Sequence, residues 1–219
     1  MDPSFWHSRW SQGRTGFHLP RPNPTLVDYA PLLLPPADGT RLFVPLCGKS
    51  HDLRWLARRG HRVVGVELSE KAARAFFEEQ QLPSEEDHWG PFLRLRSGGI
   101  ELLIGDLFDL TPELLGPIDG AYDRAALIAL PAKLRRRYAE QMASLLPPGA
   151  PTLLLTFEYP QVQMEPPPFS VDEGELRALY GREFDVQWVQ SQDVLANNDA
   201  LAARGLSALQ EHVFWLLRG

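Results

Sequence analysis

Four short stretches of this chain place chemically capable residues just after apolar, β-favouring runs. Gly48-Lys49-Ser50 follows Leu42–Leu46, and Glu67 follows Val63–Val66. Asp106 and Leu107 follow Ile100–Ile104, and Asp123 with Arg124 follows Ile118–Tyr122. In an open α/β sheet, ligands bind outside the carboxyl ends of the strands, so these residues are the first to read for binding. Glu67 stands about 20 positions beyond Leu46, the spacing at which an acidic side chain accepts from both hydroxyls of a ribose. Its competing role is a plain helix-start carboxylate, favoured by the dipole of the helix that follows. The strand-end position favours the ribose.

Three nucleotide readings compete for this layout. Gly48-Lys49-Ser50 imitates the end of a phosphate-binding loop, but that motif needs a glycine where the chain has Phe43. A dinucleotide fingerprint needs three spaced glycines after the first strand, and only Gly48 is present. Without them the backbone cannot come close to a pyrophosphate. A nucleoside free of phosphate fits better, because it needs ribose and adenine contacts but no anion cradle. S-adenosylmethionine is such a ligand.

The elements that must position these residues follow from local pattern. Ser50 is placed to cap a helix carrying Leu53, Leu56 and Ala57 on one face, and Gly60 ends it. Ser69 caps a second helix, with Ala72, Ala73, Phe76 and Phe77 buried. A third carries Leu134, Tyr138, Met142 and Leu145, and a fourth spans Asp172–Tyr180. The segments Thr152–Phe157, Phe184–Val189 and His212–Leu217 read as further strands. Alternating strands and helices predict βαβ units and a mostly parallel, doubly wound sheet. The short connection after Leu209 allows an antiparallel neighbour at the end of that sheet. Nothing in the sequence divides the chain, so one domain over 1–219 is expected.

Composition bounds the function. With 22 basic and 28 acidic residues the net charge is −6, which argues against gripping nucleic acid or an anionic membrane. The single Cys47 excludes an internal disulfide and a cysteine-rich zinc site, and suggests a reducing, cytoplasmic setting. Cys47 itself reads as a small buried filler, and no metal site is visible. No run approaches the roughly 20 apolar residues that span a bilayer. The opening Met1-Asp2-Pro3-Ser4 does not read as a secretory leader. His18 and His61 read as structural, and Arg135-Arg136-Arg137 as a solvated helix face. Residues 1–36 differ from the rest: Phe5, Trp6, Trp10 and Phe17 are interleaved with many glycines and prolines. They suggest a segment with little regular structure, either packed on the core or lying as a lid over a ligand.

Several of these stretches together resemble the thiopurine S-methyltransferase family. Phe5-Trp6-His7 through Trp10, Gly16-Phe17-His18-Leu19-Pro20 and Asn23-Pro24 are similar to its opening signature. Val44-Pro45-Leu46-Cys47-Gly48-Lys49-Ser50 and Gly65-Val66-Glu67-Leu68-Ser69-Glu70 resemble its cofactor strands, and Tyr122-Asp123-Arg124-Ala125-Ala126-Leu127 its fourth-strand motif. The resemblance covers nearly the whole chain.

It implies a class I methyltransferase fold, Rossmann-like, with seven strands and the last antiparallel. It implies S-adenosyl-L-methionine as cofactor, contacted by Trp10, Leu46, Glu67 and Arg124, with Asp106 and Leu107 at the adenine. Phe17 and Arg124 fall on the acceptor side. The implied acceptors are small aromatic or heterocyclic thiols, with selenium or tellurium compounds also admitted, and the implied protein is a monomer with no macromolecular partner. No acid–base residue is assigned, because an acceptor thiol of low pKa is already largely anionic near neutrality. Departures fall on the acceptor side, at Pro160 and Pro166. The resemblance also calls for an arginine within Asp199–Ala203, where none stands, leaving that role unassigned or passed to Arg204. A halide and thiol methyltransferase, or an inactive nucleoside-binding regulator, remain the alternatives.

Overall fold

The structure, a computed structural model, describes residues 3–37 and 39–219. Met1, Asp2 and Asp38 lie outside the described residues, and with Met1 and Asp2 the start of the leader reading. In chain order the elements are α1 (Pro3–Ser11), α2 (Pro24–Leu33), β1 (Arg41–Val44), α3 (His51–Arg58), β2 (Arg62–Glu67) and α4 (Glu70–Glu79). Then come β3 (Glu85–Trp89), β4 (Phe92–Ser97), β5 (Ile100–Ile104), α5 (Pro112–Leu115), β6 (Gly120–Arg124) and α6 (Ala132–Leu145). The chain ends with β7 (Pro151–Glu158), α7 (Glu173–Tyr180), β8 (Phe184–Asp193), α8 (Asp199–Ala202) and β9 (Gln210–Arg218).

The sheet runs β3-β4-β5-β2-β1-β6-β7-β9-β8. Strands β5, β2, β1, β6 and β7 are parallel, and β9 is antiparallel to both of its neighbours. This is the class I methyltransferase arrangement, with all seven expected strands present. Strand order reverses around β1, so the crevice at a doubly wound switch point opens at the ends of β1, β2 and β6.

Alternation along the strands feeds two cores, one per face. Phe43, Val64, Leu103, Leu154 and Phe214 pack under α6 and α7, with Tyr138, Met142 and Leu176. Leu42, Val44, Leu102, Leu153 and Val213 pack under α2, α3 and α4, with Leu26, Leu53, Leu56 and Phe76. Ser50 and Ser69 cap α3 and α4 as expected, accepting from the N–H groups of Asp52 and Ala72 at 3.1 and 3.3 Å. These two caps fix the chain just after β1 and β2.

Three expectations are corrected. The N-terminal segment is regular in part: α1 and α2 form there, α2 beginning at Pro24 after an Asn23 cap that accepts from Leu26 N–H at 3.1 Å. The charged stretch before β5 makes an unforeseen antiparallel hairpin, β3–β4, which widens the sheet to nine strands. Its outer strand carries Glu85, Glu86 and Asp87, held by Arg74, Arg94 and Arg96 rather than by apolar packing. Finally, β9 lies between β7 and β8 and not at the end of the sheet, because β8 continues the sheet beyond it. Gly120, which weakens the local strand signal, is needed where a Cβ would lie 3.0 Å from the Pro151 carbonyl oxygen.

Gly65 plays a similar part in β2. A Cβ there would sit 2.6 Å from Cys47 Sγ and 2.8 Å from Leu102 Cδ2, so the turn after β1 packs down on a glycine. Gly65→Ala is expected to lower the unfolding free energy by about 1–3 kcal/mol in urea denaturation, as overpacking does. An unchanged midpoint would contradict this packing.

Candidate cofactor and acceptor site

The parallel strands deliver their carboxyl ends to one cavity of about 580 Å³. Its floor comes from the turns after β1, β2, β5 and β6. The backbone is strained there: Leu46 and Ala125, both lining the cavity, hold φ of 45° and 60°. Such conformations are costly for residues with a Cβ and persist only where the surroundings enforce them. Gly48 has φ 55°, and a Cβ on it would meet Trp10 Cζ2 at 3.0 Å.

Glu67 ties this floor together. One carboxylate oxygen accepts from Gly48 N–H at 2.9 Å and the other from Ser69 N–H at 2.8 Å. Each oxygen keeps a second lone pair, and the side chain lines the cavity. Burial pushes its pKa up to about 7, although the backbone hydrogen bonds pull the other way. Asp123 lies beneath, fully buried, accepting from Tyr138 Oη at 2.7 Å and Leu127 N–H at 3.3 Å. Burial raises it to about 6. Asp106 accepts from Phe108 N–H at 3.0 Å and so starts a short 3-10 turn, Leu107–Asp109, which Gln141 braces through the carbonyls of Leu107 and Leu110.

The N-terminal segment closes one side. Trp10 is buried, and its ring meets Phe17 edge-on at 5.4 Å, while Trp6 meets Phe17 at 5.8 Å. Arg124 donates to the Phe17 carbonyl at 3.2 Å, tying the end of β6 to this cover. It does not pair with Asp123 or Glu67. Further lining comes from Ile128, Ala129 and Leu130, from Pro167 and Pro168, and from Asn198, Ala200, Leu201 and Arg204.

All the residues singled out from sequence, Trp10, Phe17, Leu46, Glu67, Asp106, Leu107 and Arg124, therefore line one cavity. Sequence reasoning did not find Arg9 or Leu201, which come from distant segments with no local motif, and it assigned no role to Pro167 and Pro168 beside the departure at Pro166. His18 also lines the cavity, stacked 5.4 Å from His51, whereas His61 is buried against Thr40. Cys47 is a buried filler: burial, then the neighbouring Glu67, pushes its thiol well above its ordinary pKa. Arg135 is a correction. It is buried, gripping Glu175 at 2.7 and 3.0 Å and the Leu130 carbonyl at 3.0 Å, so it anchors the cavity lining at Leu130. Among the described residues, no group of three His, Cys, Asp or Glu side chains could hold a metal ion.

A sequence model described as thiopurine S-methyltransferase matches residues 1–219. The chain belongs to the thiopurine S-methyltransferase family. It is 47% identical over 217 residues to the thiopurine S-methyltransferase of Methylococcus capsulatus, covering 99% of this chain and 97% of that one. It is also 47% identical over 219 residues to that of Pseudomonas aeruginosa, with both chains covered fully. Among solved structures, a SAM-dependent methyltransferase from Anabaena variabilis superposes with a TM-score of 0.68 at 14% identity, over 99% of this chain and 95% of that one. A Burkholderia thailandensis 1,6-didemethyltoxoflavin-N1-methyltransferase, solved with S-adenosylhomocysteine, gives 0.65 at 19% identity, over 99% and 86%. These structural likenesses establish the fold. No helix among the described residues is long and apolar enough to cross a membrane.

Glu67 and Asp123 both titrate higher in the folded chain than in the unfolded one. The native state therefore holds more protons than the unfolded state between the ordinary carboxylate range and about 7. Their contribution to stability is full at the acidic end of that window and is lost as pH rises through it. Glu67→Gln, neutral throughout, is expected to flatten the fall in ligand-free stability between about pH 5 and 7.5, measured by urea midpoints. Parallel pH profiles for the two proteins would contradict this.

Proposed function

We propose that the chain is an S-adenosyl-L-methionine-dependent S-methyltransferase acting on small aromatic or heterocyclic thiols of the thiopurine type. One observation carries the reading: a buried carboxylate at the end of β2, steered by two backbone N–H groups and lining a cavity whose first-strand turn lacks the spaced glycines of a pyrophosphate loop.

The residues present fit the cofactor. Glu67 has a spare lone pair on each oxygen for the two ribose hydroxyls. Asp106 and Leu107 offer a polar edge and an apolar face for adenine, and the polar Arg124 with the turn at Leu46 suits the amino-acid end. When bound, S-adenosylmethionine supplies a methyl group on a positively charged sulfur, open to in-line displacement by an anionic acceptor.

The protein's own work is alignment and exclusion of water. Trp10 and Phe17, carried by the N-terminal segment, act as a lid, and the face of an indole favours a nearby cationic sulfur by roughly 0.5–2 kcal/mol. Arg124 holds that lid through the Phe17 carbonyl and presents its remaining donors to the acceptor. The acceptor needs no protein base because its thiol ionises near neutrality. Cys47 takes no part, since its buried thiol stays protonated. The reading takes the protein as a cytoplasmic monomer without nucleic-acid partners; the lone buried cysteine and the acidic net charge support it.

Titration calorimetry tests the cofactor half. Glu67→Gln is expected to weaken S-adenosylmethionine and S-adenosylhomocysteine about 10- to 100-fold, the loss of a charge-assisted pair. For the native protein, binding should tighten as pH rises through about 7, with proton release, because only the ionised carboxylate accepts from both hydroxyls. Binding that is indifferent to pH, or tighter at acidic pH, would contradict the assignment. Turnover tests the other half. Thiopurines should be methylated faster than iodide or bisulfide, whereas cofactor binding with no turnover of any thiol would favour a regulator.

A further inference from the structure

We propose that Glu211 is a specificity-determining residue whose unengaged carboxylate oxygen accepts from a ring N–H of the acceptor. Preferred acceptors are then heterocyclic thiols that keep an N–H after the thiol has ionised. This rests on the methyltransferase reading and deepens it by naming the substrate class.

Glu211 is the second residue of β9, paired with Phe157 at the carboxyl end of β7. Both line the cavity, together with Thr156, beyond β6 and away from β1, β2 and β5. Leu46, Glu67 and Asp106 follow those three strands and are taken up by the cofactor reading, which leaves the β7–β9 end to the acceptor. Glu211 is only 6% exposed. One carboxylate oxygen is fixed from two sides, accepting from Thr25 Oγ1 at 2.5 Å and Gln192 Nε2 at 3.3 Å. Among the described residues the other oxygen has no hydrogen-bond partner, and no cationic nitrogen lies within 4 Å, whereas Glu79, Glu101 and Glu175 each hold one. Asp52, also buried and lining the cavity, differs: its two oxygens accept from Asn23 N–H at 2.7 Å and Tyr122 Oη at 3.2 Å. Tyr122 spends its only proton there, so it does not serve Glu211. Thr156 Oγ1 is likewise buried with no partner. Two polar groups without partners at one desolvated end of a cavity are costly until a ligand supplies what they lack.

A thiol that has lost its S–H proton keeps a donor only if its ring carries an N–H, as the imidazole ring of a thiopurine does. An N–H donating to a carboxylate is a charge-assisted hydrogen bond. An acceptor without that donor leaves the carboxylate desolvated and unpaired, and sites built to hydrogen-bond a substrate reject such analogues strongly. The cofactor's ammonium group is the competing occupant, and it would make cofactor affinity depend on Glu211.

The test compares 6-mercaptopurine with its 9-methyl derivative, which keeps the thiol and removes the imidazole N–H. The native enzyme is expected to favour the parent in kcat/KM by about tenfold or more. Glu211→Gln keeps an oxygen for Thr25 and turns the free position into a donor. It should bring that ratio to one or below, through KM for the parent, with the dissociation constant for S-adenosylhomocysteine unchanged. A ratio near one in the native enzyme, a variant with the native ratio, or a variant that weakens the cofactor would overturn the assignment. Purine and 9-methylpurine, which have no sulfur, are then titrated against the native protein in the presence of S-adenosylhomocysteine. Tighter binding of purine supports the Glu211 contact even if no thiol is turned over, in which case the transferase reading fails alone. Equal binding of the two, or none, overturns it.

Discussion

The fold's binding end depends on one carboxylate. Glu67 is buried at the end of β2, yet its two oxygens reach sideways to the N–H groups of Gly48 and Ser69, the turns that follow β1 and β2. A carboxylate in a low-dielectric place is expensive unless it is hydrogen-bonded, and these two donors make it tolerable without fully satisfying it. The lone pairs left over face the cavity. Stability and, on the proposed reading, cofactor binding are thus coupled in one group, whose pKa near neutrality reflects burial opposed by its backbone donors.

Around that carboxylate the backbone is shaped to leave room. Leu46 and Ala125 accept left-handed conformations at the ends of β1 and β6, and Gly48 lets Trp10 approach the turn. The sheet supplies rigid strand ends, while the cover comes from elsewhere: α1, the Phe17 loop and its tie to Arg124. This division suits a methyl transfer, where one partner must be held closely and the other admitted and released. The cavity wall away from that cover is assembled from segments far apart in sequence, braced by Arg135 against Glu175 and by Arg204 against the carbonyls of Glu165 and Pro167.

How much was legible before the structure follows from the range of the interactions. Glu67, Asp106 and Arg124 could be found because each directly follows a recognisable strand, and the caps Ser50 and Ser69 marked the helices between them. The hairpin β3–β4 could not, since its outer strand is charged and held by cross-strand pairs such as Arg94 with Asp87. Helix α2 carried a start signal in Asn23-Pro24 that the surrounding prolines and glycines obscured. Arg135 looks like its neighbours Arg136 and Arg137 in sequence, and only Glu175, 40 residues on, decides that it is buried. Arg9 gave no signal at all, because only the fold brings it to the cavity and leaves its Nε buried with no hydrogen-bond partner.

The central claim is that a phosphate-free adenosine is held at the strand ends by Glu67. The most direct measurement is a crystal structure of the protein with S-adenosylhomocysteine. It should place both ribose hydroxyls about 3 Å from the Glu67 carboxylate, with the adenine beside Asp106 and Leu107. A ribose out of hydrogen-bonding reach of Glu67, or a ligand seated elsewhere on the molecule, would contradict the account.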